Sequence, residues 1–406
     1  MEGKCHVAGN GVLSGYRVID MCHGLAGPSA TRILASLGAD VIKIEMPGTG
    51  EFTRQVVPYV FRSHNRDKRS LAVDLKSPRG FEVVRRLAAT SDVFVQSQRP
   101  GLVESLGLDR KSLSALNPEL IYVSITGFGE HGPDAPRKSV DMLAQAESGM
   151  AIAQSGLLGN LSFVDAAAGL SLANGILAAL MRRLRDGYVQ HVDLNLLDTA
   201  IYLQSAPLAE FSATGVCIDQ TSYWRRYATV GLFDTADGPI YLAGYWNRDW
   251  VTMCRLFGRP ELAADPRYAD NASRTAHAEE VRSIINAGFA SWSRAALIAE
   301  LESHGIMAGA VRTYAEVLES AQVAANGSFL ADTDVDGITT LFSKLPFRML
   351  PDDKPPSRPA PRVGDSTLPI LRELGLDEAE VAELVDAKIV TAQPEQPARP
   401  APIRPA

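Results

Sequence analysis

The sequence predicts an α/β fold: an open parallel sheet with flanking helices in a large domain, joined to a smaller α+β domain. Three observations predict it. Short apolar runs alternate with helix-length amphipathic segments from Tyr16 to Ile125. The first strand, helix and strand occupy about 30 residues, the length of a βαβ unit. Near residue 225 the alternation stops, and a hairpin signal followed by a run of helical segments takes over.

Residues 1–15 are polar and contain glycine, and read as surface chain. Tyr16–Met21 is a strand pattern, and the loop Cys22–Gly27 leads to Pro28, a residue suited to the first helical position. That helix runs to Leu37 and stops at Gly38; Asp40–Glu45 is the next strand. Lys68–Leu75, Asp92–Gln96 and Leu120–Ile125 read as further strands, with an amphipathic helix over Pro78–Ala89. In an open α/β sheet the ligand lies beyond the carboxyl ends of the strands. The loops His23–Gly27, Ser97–Gly101 and Gly127–Lys138 are therefore the places to look.

Asp186-Gly187 is a turn leading to a strand that ends at Leu194, and Asn195–Ser212 reads as one long, mostly apolar helix. Ala228–Phe233 and Pro239–Ala243 form a hairpin about Thr235-Ala-Asp-Gly238, followed by helices at Asp249–Phe257, Ala276–Ala290 and Leu297–His304. A Pro-rich crossing spans Pro351–Pro361, and Leu368–Val385 is helical. The large domain is thus discontinuous, residues 1–224 and 326–390. Residues 225–325 form the small domain, and 391–406 a Pro- and Ala-rich tail without periodicity.

The chain has 406 residues, 21% of them charged, and a net charge of −7. That charge argues against general affinity for nucleic acid or for an anionic membrane surface. Its four cysteines lack ligand spacing or framework density, which fits a reducing cytoplasm. The N-terminus shows no basic region followed by an apolar core, so no signal peptide is expected.

Within Leu161–Leu180 a single carboxylate, Asp165, precedes a run of Ala and Gly with no further charge until Arg182. Two readings stand for it: a helix N-cap, or a carboxylate nucleophile at the mouth of an apolar site. The small residues Ala166, Gly169, Ala173 and Gly175 make a helix face that another backbone or a ligand can approach closely.

What is missing argues against other chemistries. Glu45 stands where a ribose-binding acid of a dinucleotide site belongs, but Gly24-Leu-Ala-Gly27 lacks the third glycine of that fingerprint. There is no P-loop and no Gly-x-Ser-x-Gly elbow, and the seven histidines are scattered without metal-ligand spacing.

Several stretches occur in an order that resembles the class III coenzyme A transferases. They are Leu37–Glu45, Lys68–Lys76, Arg99-Pro-Gly101, Ile125–Gly129 with Gly132-Pro133, and Val164-Asp165 followed by Gly169 and Gly175–Leu180. Gln190–Asp193, Thr235–Gly238, Gly305–Val311 and Gly364–Thr367 before Leu374–Leu376 continue the series. The family includes formyl-CoA and crotonobetainyl-CoA transferases and is related to the α-methylacyl-CoA racemases. The resemblance implies that Asp165 attacks a thioester to form first a mixed anhydride and then an aspartyl-CoA thioester. It implies CoA contacts at His23, Gly24, Leu25, Ala26, Val73, Lys76, Ser97, Gln98, Arg99 and Lys138. It also implies an acyl-CoA and a small carboxylic acid as partners, no tightly bound cofactor, and an interlocked homodimer. Taken singly, each of the Lys and Arg residues reads rather as a solvated surface charge; their co-location on the strand-end loops favours the CoA reading.

The chain departs from the family at Ser97, Ser105 and Met46, where Asn, Arg and Arg are common. In place of a glycine-rich lid it has Ser222-Tyr-Trp-Arg-Arg226. Tyr223, Trp224, Arg225, Tyr245 and Trp246 are candidates for an acyl pocket, and Arg225 or Arg226 for meeting a second carboxylate. A racemase needs a second base, and its His belongs immediately before Asp141, where this chain has Val140. CoA transfer is the expectation; a racemase or isomerase, and a silent CoA-binding protein, are the alternatives.

Overall fold

The apolar runs and the short strand β12 (Val390–Thr391) form a seven-stranded sheet in the order β12-β3-β2-β1-β4-β5-β6. The computed structural model describes residues 11–154, 156–217, 227–333, 337–350 and 357–392. The strands are β1 (Arg17–Met21), β2 (Asp40–Glu45), β3 (Arg69–Val73), β4 (Val93–Gln96), β5 (Ile121–Thr126) and β6 (Val192–Asn195). All of these pair in parallel. Five of them, β1 to β5, are buried almost throughout, as strands covered on both faces must be.

Alternate strand residues serve two cores. Val18, Val41, Val93, Val95, Ile121 and Val123 pack with helices α1 (Ala26–Ser36) and α9 (Phe163–Asp186). Ile19, Ile42, Leu71, Phe94 and Tyr122 face the opposite way, toward Pro78–Ala89 and the helices Thr367–Glu373 and Glu378–Asp386. The other helices named below are α7 (Asp141–Glu147) and α10 (Leu196–Leu203).

Two compact units emerge from the packing. One comprises the described residues of 11–150, 158–205 and 330–392; the other, those of 151–157 and 206–329. In the second, β7 (Val230–Thr235), β8 (Gly238–Ala243) and β9 (Met307–Ala310) make an antiparallel sheet. Its core includes Phe233, Trp250, Tyr268 and Phe289.

Several expectations change. The first helix begins at Ala26, two residues before Pro28, because the turn after β1 already has helical geometry. The apolar stretch 195–212 is two helices separated at Gln204, whose amide donates to Ser148 O and to Ala200 O at 3.2 and 3.0 Å. Leu368–Val385 is likewise split, around Gly375 at φ +80°. Thr391 is not tail: with Val390 it forms β12, antiparallel to β3, and closes that edge of the sheet. A hairpin of β10 (Phe329–Thr333) and β11 (Thr339–Ser343) had no counterpart in the sequence reading.

Candidate active site

Because β1 to β6 run the same way, the loops that follow them share one edge of the sheet. The strand order reverses between β1 and β4, which opens a crevice beyond their carboxyl ends. The His23 N–H donates to Ser97 Oγ across that point at 2.9 Å, joining two of the candidate CoA loops.

Buried charge holds the first of these loops. The Gly24 N–H donates to Glu51 Oε1 at 2.8 Å, and Glu51 pairs with Lys43 Nζ at 2.6 Å. Lys43 also donates to Cys22 O at 2.9 Å. Asp20 lies beneath, accepting from Lys68 Nζ and Thr31 Oγ1, each at 2.8 Å. Burial works against its charge, but Lys43 and Lys68 outweigh it and hold the carboxyl well below the usual range. Glu45 has no open face for a ribose. Arg54 grips it through two bonds of 2.7 Å, and Ser70 Oγ donates to it at 2.7 Å.

Asp165 is placed differently. The crossover from β5 to the parallel β6 requires α9 to run back along the sheet, so α9 starts at the edge where the candidate loops end. Asp165 is its third residue and not its N-cap, which corrects the capping reading. The N-cap is Ser162, at φ +45°, and its side chain makes no capping bond. The Asp165 N–H is instead capped from α7, donating to Asp141 Oδ2 at 2.9 Å. That donor is therefore already used and is not free for an oxyanion. The Asp165 side chain is half-buried. Burial, and then the negative charge of Asp141, push its carboxyl up to about 7. The positive end of the α9 dipole opposes this shift without cancelling it.

The small residues of α9 also take a different role from the one expected. A Cβ on Gly169 would lie 2.7 Å from Ser29 Cβ and 2.9 Å from Ala26 O, so Gly169 admits α1 and not a ligand. Gly175 similarly faces Val192 of β6. The close packing has a functional consequence: it seats the start of α1, and with it the His23–Ala26 loop, against the turn of α9 after Asp165.

The remaining candidates of the first unit lie on either side of this point. Ser97, Gln98 and Arg99 follow β4, with the Gln98 N–H held by Gln96 Oε1 at 2.6 Å. Lys138 is exposed in the loop after β5. Val73 and Lys76 lie at β3, two strands from β1 on the other flank. Lys76 is exposed, but the Val73 side chain sits in the core. Tyr245 and Trp246 are on the surface of the second unit, with Tyr245 edge-on to Tyr227. Residues 222–226, including Tyr223, Trp224, Arg225 and Arg226, lie outside the described residues. Among the described residues no group of three or more His, Cys, Asp or Glu could hold a metal ion.

Residues 13–367 match the CoA-transferase family III. The chain belongs to that family. It is 35% identical to a succinate–glutarate CoA-transferase of Agrobacterium fabrum, over 89% of this chain and 95% of the relative. It is 31% identical to an acetyl-CoA:oxalate CoA-transferase of Acetobacter aceti, over 91% and 97%. Its fold is similar to that of a CaiB/BaiF family protein from Brucella suis, with a TM-score of 0.82, 31% identity, and 90% and 100% of the two chains covered.

As a family III CoA-transferase the protein uses CoA thioesters as substrates. The position before Asp141 agrees with transfer: Val140 is exposed and carries no base, and His131 is exposed in its loop. Sequence reasoning missed three residues that shape this site. Lys43 lies inside the strand pattern Asp40–Glu45, where a lysine in an otherwise apolar run signals a buried partner, and Glu51 falls in a stretch to which the sequence assigns no element. Asp141 was used only to locate its neighbour, and nothing in local spacing links it to Asp165.

Proposed function

We propose that this CoA-transferase moves CoA from an acyl-CoA to a small carboxylic acid through an aspartyl-CoA thioester on Asp165. The observation that carries the reading is the state of that side chain. Asp165 is a half-buried carboxylate with no cationic partner among the described residues, at the strand-end edge where the candidate CoA loops meet. A carboxylate left without compensation is a stronger nucleophile than one held in an ion pair. It attacks the thioester carbonyl, the C–S bond breaks, and CoA leaves as thiolate, giving a mixed anhydride. The thiolate then attacks the Asp165 carbonyl, releasing the donor acid and leaving aspartyl-CoA. The acceptor carboxylate reverses the sequence, so no nucleotide is required.

The acceptor class in this reading is a dicarboxylic acid, supported by relatives named for succinate, glutarate and oxalate. The reading further holds the protein to be a cytoplasmic, interlocked homodimer. The outer faces of α9 and α10 support a partner copy: Met181, Leu184 and Tyr202 are 71%, 77% and 76% exposed. By length and composition α9 is apolar enough to cross a membrane. Its inner face is already packed on the sheet through Val164, Ala168, Leu172 and Ile176, which favours a protein partner over lipid. A monomer in light scattering would remove the dimer from this reading.

The test is to incubate the protein with succinyl-CoA, acetyl-CoA and a fatty acyl-CoA, add hydroxylamine, and map the product by mass spectrometry. The label is expected on Asp165. Asp165→Ala is expected to abolish transfer to succinate, glutarate and oxalate while leaving the fold intact. Transfer retained in that variant sinks the mechanism.

A further inference from the structure

The hydrogen bonds around Asp141 decide which of two neighbouring carboxylates holds the negative charge. Asp141 is 4% exposed and Gln145, one turn further along α7, is fully buried. Gly159 sets the orientation of Gln145: its N–H donates to Gln145 Oε1 at 2.7 Å, and Gln145 Nε2 donates to Gly159 O at 3.0 Å. With its oxygen committed to that N–H, the Gln145 amide turns its other N–H toward Asp141 Oδ1 and donates to it. Asp141 Oδ2 accepts from the Asp165 N–H at 2.9 Å. Both Asp141 oxygens therefore face donors of fixed direction, and a proton on either would compete with the donor already there. The start of the 24-residue helix α9 also favours an anion at this place. Gly159 is itself fixed, since a Cβ there would lie 2.1 Å from the Phe163 ring.

Among the described residues no such arrangement surrounds the Asp165 carboxylate. The elements packed against α9 are α1, α7, α10, β5 and β6. Their other charged groups are engaged elsewhere: Arg32 with Ser343 O, Glu147 with Arg137, Asp198 with Asn195, and Asp193 with Ser124. Among the described residues, Asp141 is the one charge that acts on Asp165.

We propose that Asp141 is a positioning residue which, locked by Gln145 and Gly159, keeps the negative charge of the pair on itself and makes Asp165 the member that gains and loses charge. The inference rests on Asp165 being the nucleophile. Asp165 gives its proton to water and becomes an anion beside a fixed anion. When its oxygen bonds to the thioester carbon, the C–S bond breaks and the charge departs on the CoA thiolate. The acylated side chain is neutral, so the repulsion from Asp141 is relieved in the covalent intermediate. The same residue holds the backbone of the nucleophile through the Asp165 N–H.

The experiment is the pH profile of kcat and of kcat/KM for Asp141→Asn and Gln145→Leu, with thermal melting to confirm that both fold. An asparagine at 141 keeps the shape but loses the charge, and its NH2 or the Gln145 amide must break a bond. Asp141→Asn is expected to move the acid limb to lower pH by about one unit or more. It is expected to lower kcat about 10²-fold with KM little changed. Gln145→Leu should move both in the same direction by less. Folded variants whose acid limb stays in place overturn the proposal, whether or not kcat falls, because a structural role alone leaves the limb unmoved. Asp165→Ala separates the two readings. If it retains transfer, the nucleophile assignment fails; if it abolishes transfer while the limb of Asp141→Asn is unmoved, only this inference fails.

Discussion

Asp20 and Asp165 are two aspartates of the same unit, one at the base of the β1 loop and one at the start of the helix packed against it, and their surroundings differ in kind. Asp20 is fully buried between Lys68 at 2.8 Å and Lys43 at 4.0 Å, and its charge is held. Asp165 is less buried, but its one charged neighbour among the described residues is another carboxylate, and its charge is resisted. The first arrangement fixes backbone: through Lys43 it reaches Cys22 O, and through Glu51 the Gly24 N–H. The second leaves a carboxylate without a cation among the described residues. A buried carboxylate with cations on it serves the structure; one deprived of them is available for chemistry.

Breaking the compensated site should have the largest effect on stability. Asp20→Ala leaves Lys43 and Lys68 buried with less opposing charge, and losing one member of a buried charge cluster costs about 3–5 kcal/mol. Urea denaturation at neutral pH measures it. A loss within about 0.5 kcal/mol, the range of an ordinary surface substitution, would erase the contrast between the two aspartates.

At the uncompensated site the sign reverses. The Asp165 carboxyl is raised to about 7 in the fold, above about 3.9 in the unfolded chain. The fold therefore binds the proton more tightly. Its stability advantage is complete below the unfolded value and is lost as pH rises through the folded one. Asp165→Asn removes that dependence. At pH 8 the variant should be more stable than the wild type by about 1–3 kcal/mol, after allowance for partial exposure. The gain should vanish near pH 4, although the variant cannot form the covalent intermediate by the wild-type route. Melting curves at both pH values decide it, and a variant less stable at pH 8 contradicts the raised carboxyl.

Much of the frame of this comparison was legible in the sequence. β1, β2, β4 and β5 are short runs of Val and Ile, and the parallel sheet follows from their alternation with helices. Asp165 was visible as a lone carboxylate before an Ala-rich run. Its position in the helix was not, because the helix is capped by a residue 24 positions earlier, on a different element. The small residues were legible as a close-approach face, but their periodicity does not say what approaches. The side chain that decided it, Ser29, is on α1. β12 is two residues long, too short to carry a pattern, and forms only because β3 presents an open edge.

The smallest predicted effect concerns the cap itself. Ser is among the favoured N-cap residues, and replacing a working Ser cap with Ala costs typically about 1 kcal/mol. Ser162 makes no capping bond, and the Asp165 N–H belongs to Asp141. Ser162→Ala should therefore change stability by less than about 0.5 kcal/mol, as at a surface site without special contacts. Ser162→Gly goes the other way. At φ +45° and ψ 44° a Cβ is strained, by roughly 1–2 kcal/mol. Glycine relieves that strain while adding freedom to the unfolded chain. The net expectation is a gain of about 0.5 kcal/mol, with transfer activity retained because Asp141 still holds the first turn. If Ser162→Ala instead loses a full cap's worth of stability, the helix is capped by its own sequence and Asp141 is freed from that task. The two aspartates would then differ in charge alone, and not in what holds the backbone beneath them.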